Sequence, residues 1–233
     1  MSVDPKAFWE EKILTWEEGR YEPRKAKGGV LERIADASSR SLRYRIKIAV
    51  ELLEPHVKGR SVLEIGCGSG LLAQRFIDIG AKSYLGIDIA ESAIEIANKR
   101  KAEQRWSDRI TFKVDTVRDM PPVTDDVVLS LGVLDWLTDE ELAILFAKQG
   151  RADFLHAIAE QRISVSQLIH RAYVHVSYGH RTGAYRPRYF PAVDIARIAA
   201  KHRPGPFYAF RNTKLSFGAL IATFPVGAVI AAS

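Results

Sequence analysis

The run Val62-Leu63-Glu64-Ile65-Gly66-Cys67-Gly68-Ser69-Gly70 decides the fold. A short apolar, β-branched stretch enters a glycine-rich turn. An apolar helix pattern over Leu71–Ile79 leaves it and stops at Gly80. A second short run, Tyr84-Leu85-Gly86-Ile87-Asp88, ends in an acid at the distance one βαβ unit needs. Gly66 and Gly68 let the backbone turn tightly and approach a ligand with no Cβ in the way. Asp88, at the tip of the second strand, is placed to accept hydrogen bonds from both hydroxyls of a ribose.

The spacing narrows the nucleoside. A dinucleotide fingerprint, G-x-G-x-x-G, needs a glycine at 71, where this chain has Leu; its third glycine is Gly70. With Glu64 ahead of the first glycine, the run resembles motif I of the class I S-adenosylmethionine-dependent methyltransferases, and the resemblance extends over about residues 45–225. It implies S-adenosylmethionine as cofactor and methyl transfer as activity. The implied fold is a Rossmann-like, doubly wound, seven-stranded sheet, mostly parallel with an antiparallel C-terminal hairpin strand. It also implies that Glu64, Gly66, Cys67, Gly68 and Gly70 line the methionine and ribose parts of the cofactor. Asp88 takes the ribose hydroxyls, Ile89 packs on adenine, and Asp115, just past the third strand, accepts from the adenine amine. Leu131 and Gly132, after the fourth strand, lie near the methionine end.

The rest of the chain keeps the same rhythm. Strand patterns at Arg109–Val114, Asp126–Ser130 and Ala152–Ala159 alternate with helical ones. Thr138-Asp139-Glu140-Glu141 has the spacing of a capping box, and Ser164-Val165-Ser166-Gln167 is a second. Phe207–Arg211 and Leu215–Thr223 read as a closing hairpin. Residues 1–45 form a helical arm or lid with Phe8, Trp9, Ile13 and Trp16 on one face, and the helix that follows should break near Pro55. The methyltransferase-like domain spans 46–225, with an acceptor-binding insertion at 161–205, and 226–233 is an apolar tail.

Hydrophobic content of 47% and charged content of 27% are those of an ordinary globular protein. One cysteine, Cys67, excludes an intrachain disulfide and fits a reducing compartment. Met1–Glu10 shows no signal-peptide pattern. Phe217–Ala232 is uncharged but broken by Pro225 and glycines, short of the ~20 apolar residues a span requires. The expectation is a cytoplasmic protein with no transmembrane segment. Between Gln161 and Lys214 stand ten Lys or Arg against one acid, Asp194, in a chain of net charge +6. Such a segment should face an anionic partner.

The acceptor side rests on fewer signals. In the loop Tyr178–Tyr189, Arg181, Arg186 and Arg188 offer forks for phosphate or carboxylate, and Tyr185 can stack on a ring. Trp136 and Glu160, at strand ends, and His180, in that loop, complete the substrate-side set. Asp135, His156 and His180 are the candidate catalytic bases, although His156 inside an apolar strand also reads as a hydrogen-bonded core residue. The stretch after the fourth strand lacks the Asn/Asp-Pro-Pro-Tyr tetrapeptide of many amino-methylating enzymes, which favours an oxygen acceptor. No adjacent Asp-Asn pair follows the fifth strand, so no metal is expected. The reading is O-methylation of a small-molecule or saccharide acceptor, with or without phosphate. The alternatives are an RNA methyltransferase and a non-catalytic S-adenosylmethionine-binding protein. The residues do not speak to oligomeric state.

Overall fold

A computed structural model describes residues 4–21, 30–103, 107–162, 167–168 and 185–230. Two helices, α1 (Pro5–Tyr21) and α2 (Val30–Val57), precede an alternating region. It runs β1 (Ser61–Ile65), α3 (Ala73–Asp78), β2 (Ser83–Asp88), α4 (Glu91–Ala102), β3 (Ile110–Val114), β4 (Val127–Leu131), α5 (Asp139–Gln149) and β5 (Asp153–Ala159). Then come α6 (Ala192–Ala200), β6 (Phe207–Phe210), β7 (Gly218–Ala222) and β8 (Ala228–Ile230). All strands join one sheet in the order β3-β2-β1-β4-β5-β7-β6-β8.

The pairs among β1 to β5 are parallel, and β7 runs antiparallel to both β5 and β6. Parallel strands covered on both faces should be apolar throughout. Val-Val-Leu-Ser-Leu of β4 and Asp-Phe-Leu-His-Ala-Ile-Ala of β5 obey that rule except for Asp153 at the start of β5 and for Ser130 and His156, which pair with each other. On one face Leu53 and Val57 of α2, Phe76 of α3 and Ile94 of α4 fill the core; on the other, Leu142 and Phe146 of α5 and Ile195 of α6 do so. The strand order reverses between β1 and β4, so the crevice at their carboxyl ends is the ligand position of such a sheet.

The doubly wound sheet and closing hairpin are as the sequence implies, with two corrections. Among the described residues the sheet has eight strands rather than seven, because Ala228–Ile230 of the expected apolar tail pairs with the outer edge of β6. An uncovered edge leaves backbone N–H and C=O groups without ladder partners, and a neighbouring uncharged segment satisfies them. Secondly, α2 does not break at Pro55 but continues two residues further, to Val57, so the proline falls in the closing turn and not in mid-helix. The same helix crosses the anticipated arm–domain boundary at 45/46 without interruption. The capping box at Thr138 forms as read: Glu141 N donates to Thr138 Oγ1 and Thr138 N to Glu141 Oε2. The one expected at Ser164–Gln167 lies outside the described residues. No described helix is long and apolar enough to cross a membrane.

Candidate active site

The turn after β1 places Gly66, Gly68 and Gly70 at φ of +73°, +52° and +71°, a region L side chains rarely occupy. Two of these sites are also closed sterically. A Cβ on Gly66 would lie 2.2 Å from Val133 Cγ2, and one on Gly70 would lie 2.4 Å from Phe112 Cζ. Arg100 of α4 clamps the turn from outside, donating to the Ser69 carbonyl and hydroxyl. The glycine spacing read from the sequence is therefore a backbone and packing requirement.

Asp88 faces this turn from the tip of β2. Its Oδ2 accepts from Gly68 N at 2.8 Å and its Oδ1 from Ala90 N at 2.9 Å. Burial raises its pKa above the ordinary aspartate value, against the lowering effect of these N–H donors. A carboxylate has about four lone-pair positions. Two backbone donors leave acceptor capacity for two hydroxyls. Asp115 is tied into the same corner, its N–H donating to the Asp88 carbonyl at 2.9 Å and its Oδ1 accepting from Thr116 N. Ile89 is half-buried between Asp88 and Ala90. Glu64 is buried beneath the turn and accepts a hydrogen bond from the Tyr84 hydroxyl.

On the β4 side, Leu131 and Gly132 meet a residue that the sequence did not single out. Arg45 of α2 donates through Nη2 to the Leu131 carbonyl at 3.2 Å, and its guanidinium fills the space a Cβ on Gly132 would take. It sits 86 residues from Leu131 and reads locally as one of several outer basic positions on an amphipathic helix. Only the fold brings it here. Its charge also stabilises the carboxylate of Asp135, which lies in the 3₁₀ turn Leu134–Trp136 and accepts from Ala159 N at 2.7 Å. Burial is the larger effect and pushes the Asp135 pKa up to about 6.

That shift has a testable consequence. The unfolded carboxyl ionises near 3.8 and the folded one near 6. Between those values the native state holds a proton the unfolded chain has lost, so stability falls as pH rises through the window. The full penalty, about 3 kcal/mol, applies above pH 6. Asp135→Asn should therefore raise the melting temperature by several degrees at pH 8 and change it little at pH 4; a denaturation series across this range checks both arms.

The other predicted residues divide sharply. Trp136 and Tyr185 come together, and α1 joins them. The Trp136 ring lies 5.0 Å from Trp9, 5.7 Å from Phe8 and 5.1 Å from Tyr185, while Trp9 Nε1 donates to the Tyr185 hydroxyl at 2.8 Å. Desolvation in this cluster pushes the Tyr185 phenol up to about 12. The residue after Trp9, Glu10, ties the arm to α4, its oxygens accepting from Glu91 N and Ser92 N at the start of that helix.

His156 is not at the site. It is wholly buried, with Nδ1 2.8 Å from Ser130 Oγ and Nε2 2.9 Å from Gln149 Oε1, and burial lowers its pKa to about 3. With both nitrogens engaged inside the core, it cannot meet an acceptor. Glu160 is also occupied: Arg211 grips both its oxygens and Arg162 binds Oε2. Arg188 spends its guanidinium on the Leu137 carbonyl and Asp139. Arg197 pairs with Asp194 and Arg203 with Asp153, so much of the basic segment is neutralised internally. Arg186 is exposed. His180 and Arg181 lie outside the described residues.

Residues 62–152 match a family model described as a methyltransferase domain. That stretch is similar to methyltransferase domains. The match spans the glycine turn, Asp88, Asp115 and Asp135. Over 87 residues, 37% of this chain, it is 32% identical to a ubiquinone biosynthesis O-methyltransferase of Idiomarina loihiensis, covering 35% of that protein. It is 38% identical over 76 residues, 32% of the chain, to a ribosomal protein L11 methyltransferase of Haemophilus influenzae, covering 25% of it. The chain thus spans about a third or less of these relatives. Among solved structures, the magnesium protoporphyrin IX methyltransferase of Synechocystis PCC 6803 superposes with a TM-score of 0.69 at 18% identity, covering 93% of this chain and 96% of that one. A geranyl diphosphate methyltransferase superposes at 0.60 and 15% identity, with 93% and 96% coverage. These likenesses of fold extend over nearly the whole chain.

Proposed function

We propose that the protein binds S-adenosylmethionine over the carboxyl ends of β1, β2 and β4 and methylates an oxygen of a small organic acceptor. The donor and acceptor set of the crevice supports the cofactor. Asp88 retains lone pairs for ribose hydroxyls, Asp115 stands where an adenine amine would need an acceptor, and Arg45 supplies positive charge for a carboxylate. Glu64 supplies negative charge for an ammonium, and the glycine turn removes side chains from the path between them. When bound, the sulfonium supplies an activated methyl group. Solved structures of this fold hold S-adenosylhomocysteine or sinefungin.

The chain's own part in the reaction is positioning and proton handling. Asp135, at the tip of β4, is a buried carboxylate whose pKa of about 6 suits a base working near neutral pH. Its backbone and side chain are both held, the carbonyl by Arg188 N at 2.7 Å and Oδ1 by Ala159 N. Trp136, Tyr185, Phe8 and Trp9 supply an apolar wall beside it that excludes water, and α1 acts as the lid. The aromatic cluster, together with the internal neutralisation of Arg162, Arg188, Arg203 and Arg211, supports an apolar or planar acceptor over a phosphorylated saccharide. The O-methyltransferase relative is in keeping with an oxygen acceptor.

The observation that carries the reading is the glycine turn closed by Asp88. Calorimetry with S-adenosylhomocysteine tests it directly, followed by transfer of labelled methyl from S-adenosylmethionine into phenolic, carboxylic and isoprenoid acceptors. Saturable cofactor binding with product formation is expected. Binding without transfer to any acceptor would favour a non-catalytic role, and absence of binding would end the proposal.

A further inference from the structure

We propose that Tyr84 is a positioning residue for the cofactor site, holding Glu64 in place beneath the glycine turn so that the acid can pair with the α-ammonium of an S-adenosyl ligand. This rests on the cofactor reading above. Tyr84 begins the apolar run of β2 and is 1% exposed, Glu64 4%. In the parallel register Val62 is opposite Tyr84 and Glu64 opposite Gly86, so Tyr84 and Glu64 are diagonal neighbours on the same face of the sheet. The phenol donates to Glu64 Oε2. Its ring is fixed between Phe76, stacked at 6.1 Å, and Phe112, edge-on at 5.9 Å.

Gly86 makes this arrangement possible. A Cβ there would lie 2.8 Å from both Cys67 Sγ and Phe112 Cδ1, so the bare position lets the turn and the aromatic ring close over the pair. A carboxylate this deep is costly unless hydrogen-bonded. The Tyr84 hydroxyl is one donor that meets this need, and it also orients the acid. An apolar strand residue at 84 would fill the same space without either effect. Fixing Glu64 from the adjacent strand leaves the glycine turn free of any side chain that would obstruct the ligand.

The test compares two probes by calorimetry: S-adenosylhomocysteine, which carries the α-ammonium, and 5′-methylthioadenosine, which lacks the amino-acid tail. In Tyr84→Phe, affinity for S-adenosylhomocysteine should fall about tenfold. Affinity for methylthioadenosine should be unchanged. Equal weakening of the two ligands would mean that Tyr84 merely supports the core, and would overturn the proposal. Should Tyr84→Phe fail to fold, Glu64→Gln must show the same selective loss, and its failure to discriminate the ligands overturns the proposal equally. A wild-type protein that binds neither probe would refute the cofactor reading as well; one that binds both while the variants behave like it would refute only the role of Tyr84.

Discussion

Asp88→Asn should weaken S-adenosylhomocysteine binding by about two to three orders of magnitude. Hydrogen bonds to a charged acceptor contribute about 1.5–3 kcal/mol each, and two ribose hydroxyls compete for this carboxylate. The amide also puts an NH₂ group where Gly68 N or Ala90 N now finds an oxygen. One backbone donor is then left facing another, a buried loss of about 1–3 kcal/mol. A lower melting temperature, by roughly 3–10 °C, should accompany the affinity loss. Alanine is the poorer probe, because it strands both N–H groups and confounds folding with binding. In the wild type, the upward shift of the Asp88 pKa adds a pH signature. The ionised form is the better acceptor, so affinity should decline on acidification earlier than an ordinary aspartate would cause. Unchanged calorimetric affinity in Asp88→Asn would sink the ribose assignment.

Gly70→Ala should be the most damaging single-methyl change in the turn. A left-handed φ costs a non-glycine residue about 1–2 kcal/mol. The added carbon also meets Phe112 at 2.4 and 2.7 Å and Ala97 Cβ at 3.2 Å. Phe112 is 8% exposed and packed on Tyr84, so it has little room to yield. Overpacking of this kind costs about 1–3 kcal/mol more. The summed loss predicts a melting temperature lower by roughly 5–15 °C and a displaced turn that binds cofactor poorly. A variant that melted with the wild type and kept its affinity would show that the glycine is not required there. Gly66→Ala is a milder comparison, because its main obstacle is a single methyl of the half-buried Val133.

How far the site was legible in sequence depends on how local each part is. The glycine turn, Asp88 and Asp115 belong to strand ends and the turns that follow them. A parallel sheet delivers such positions to one edge whatever else the chain does. The acceptor side was less legible because its parts come from distant segments. Arg45, Gly132 and Asp135 meet only because α2 packs beside the β4 tip. Trp9 and Tyr185 are 176 residues apart, yet they share a hydrogen bond. His156 and Glu160 misled for the opposite reason. Each looked like chemistry near a strand end, and tertiary neighbours consumed it: Ser130 and Gln149 for the histidine, Arg162 and Arg211 for the acid.

The alternation of apolar runs, the spacing of Gly66, Gly68 and Gly70, and the acid closing β2 determined the sheet and the nucleoside crevice, because these are short-range constraints on backbone angle and strand period. Which of the remaining polar groups stay available to a ligand was decided only by folding. Charge and hydrogen-bonding capacity are spent between residues far apart in the chain, and the sequence carries no local mark of where each is spent.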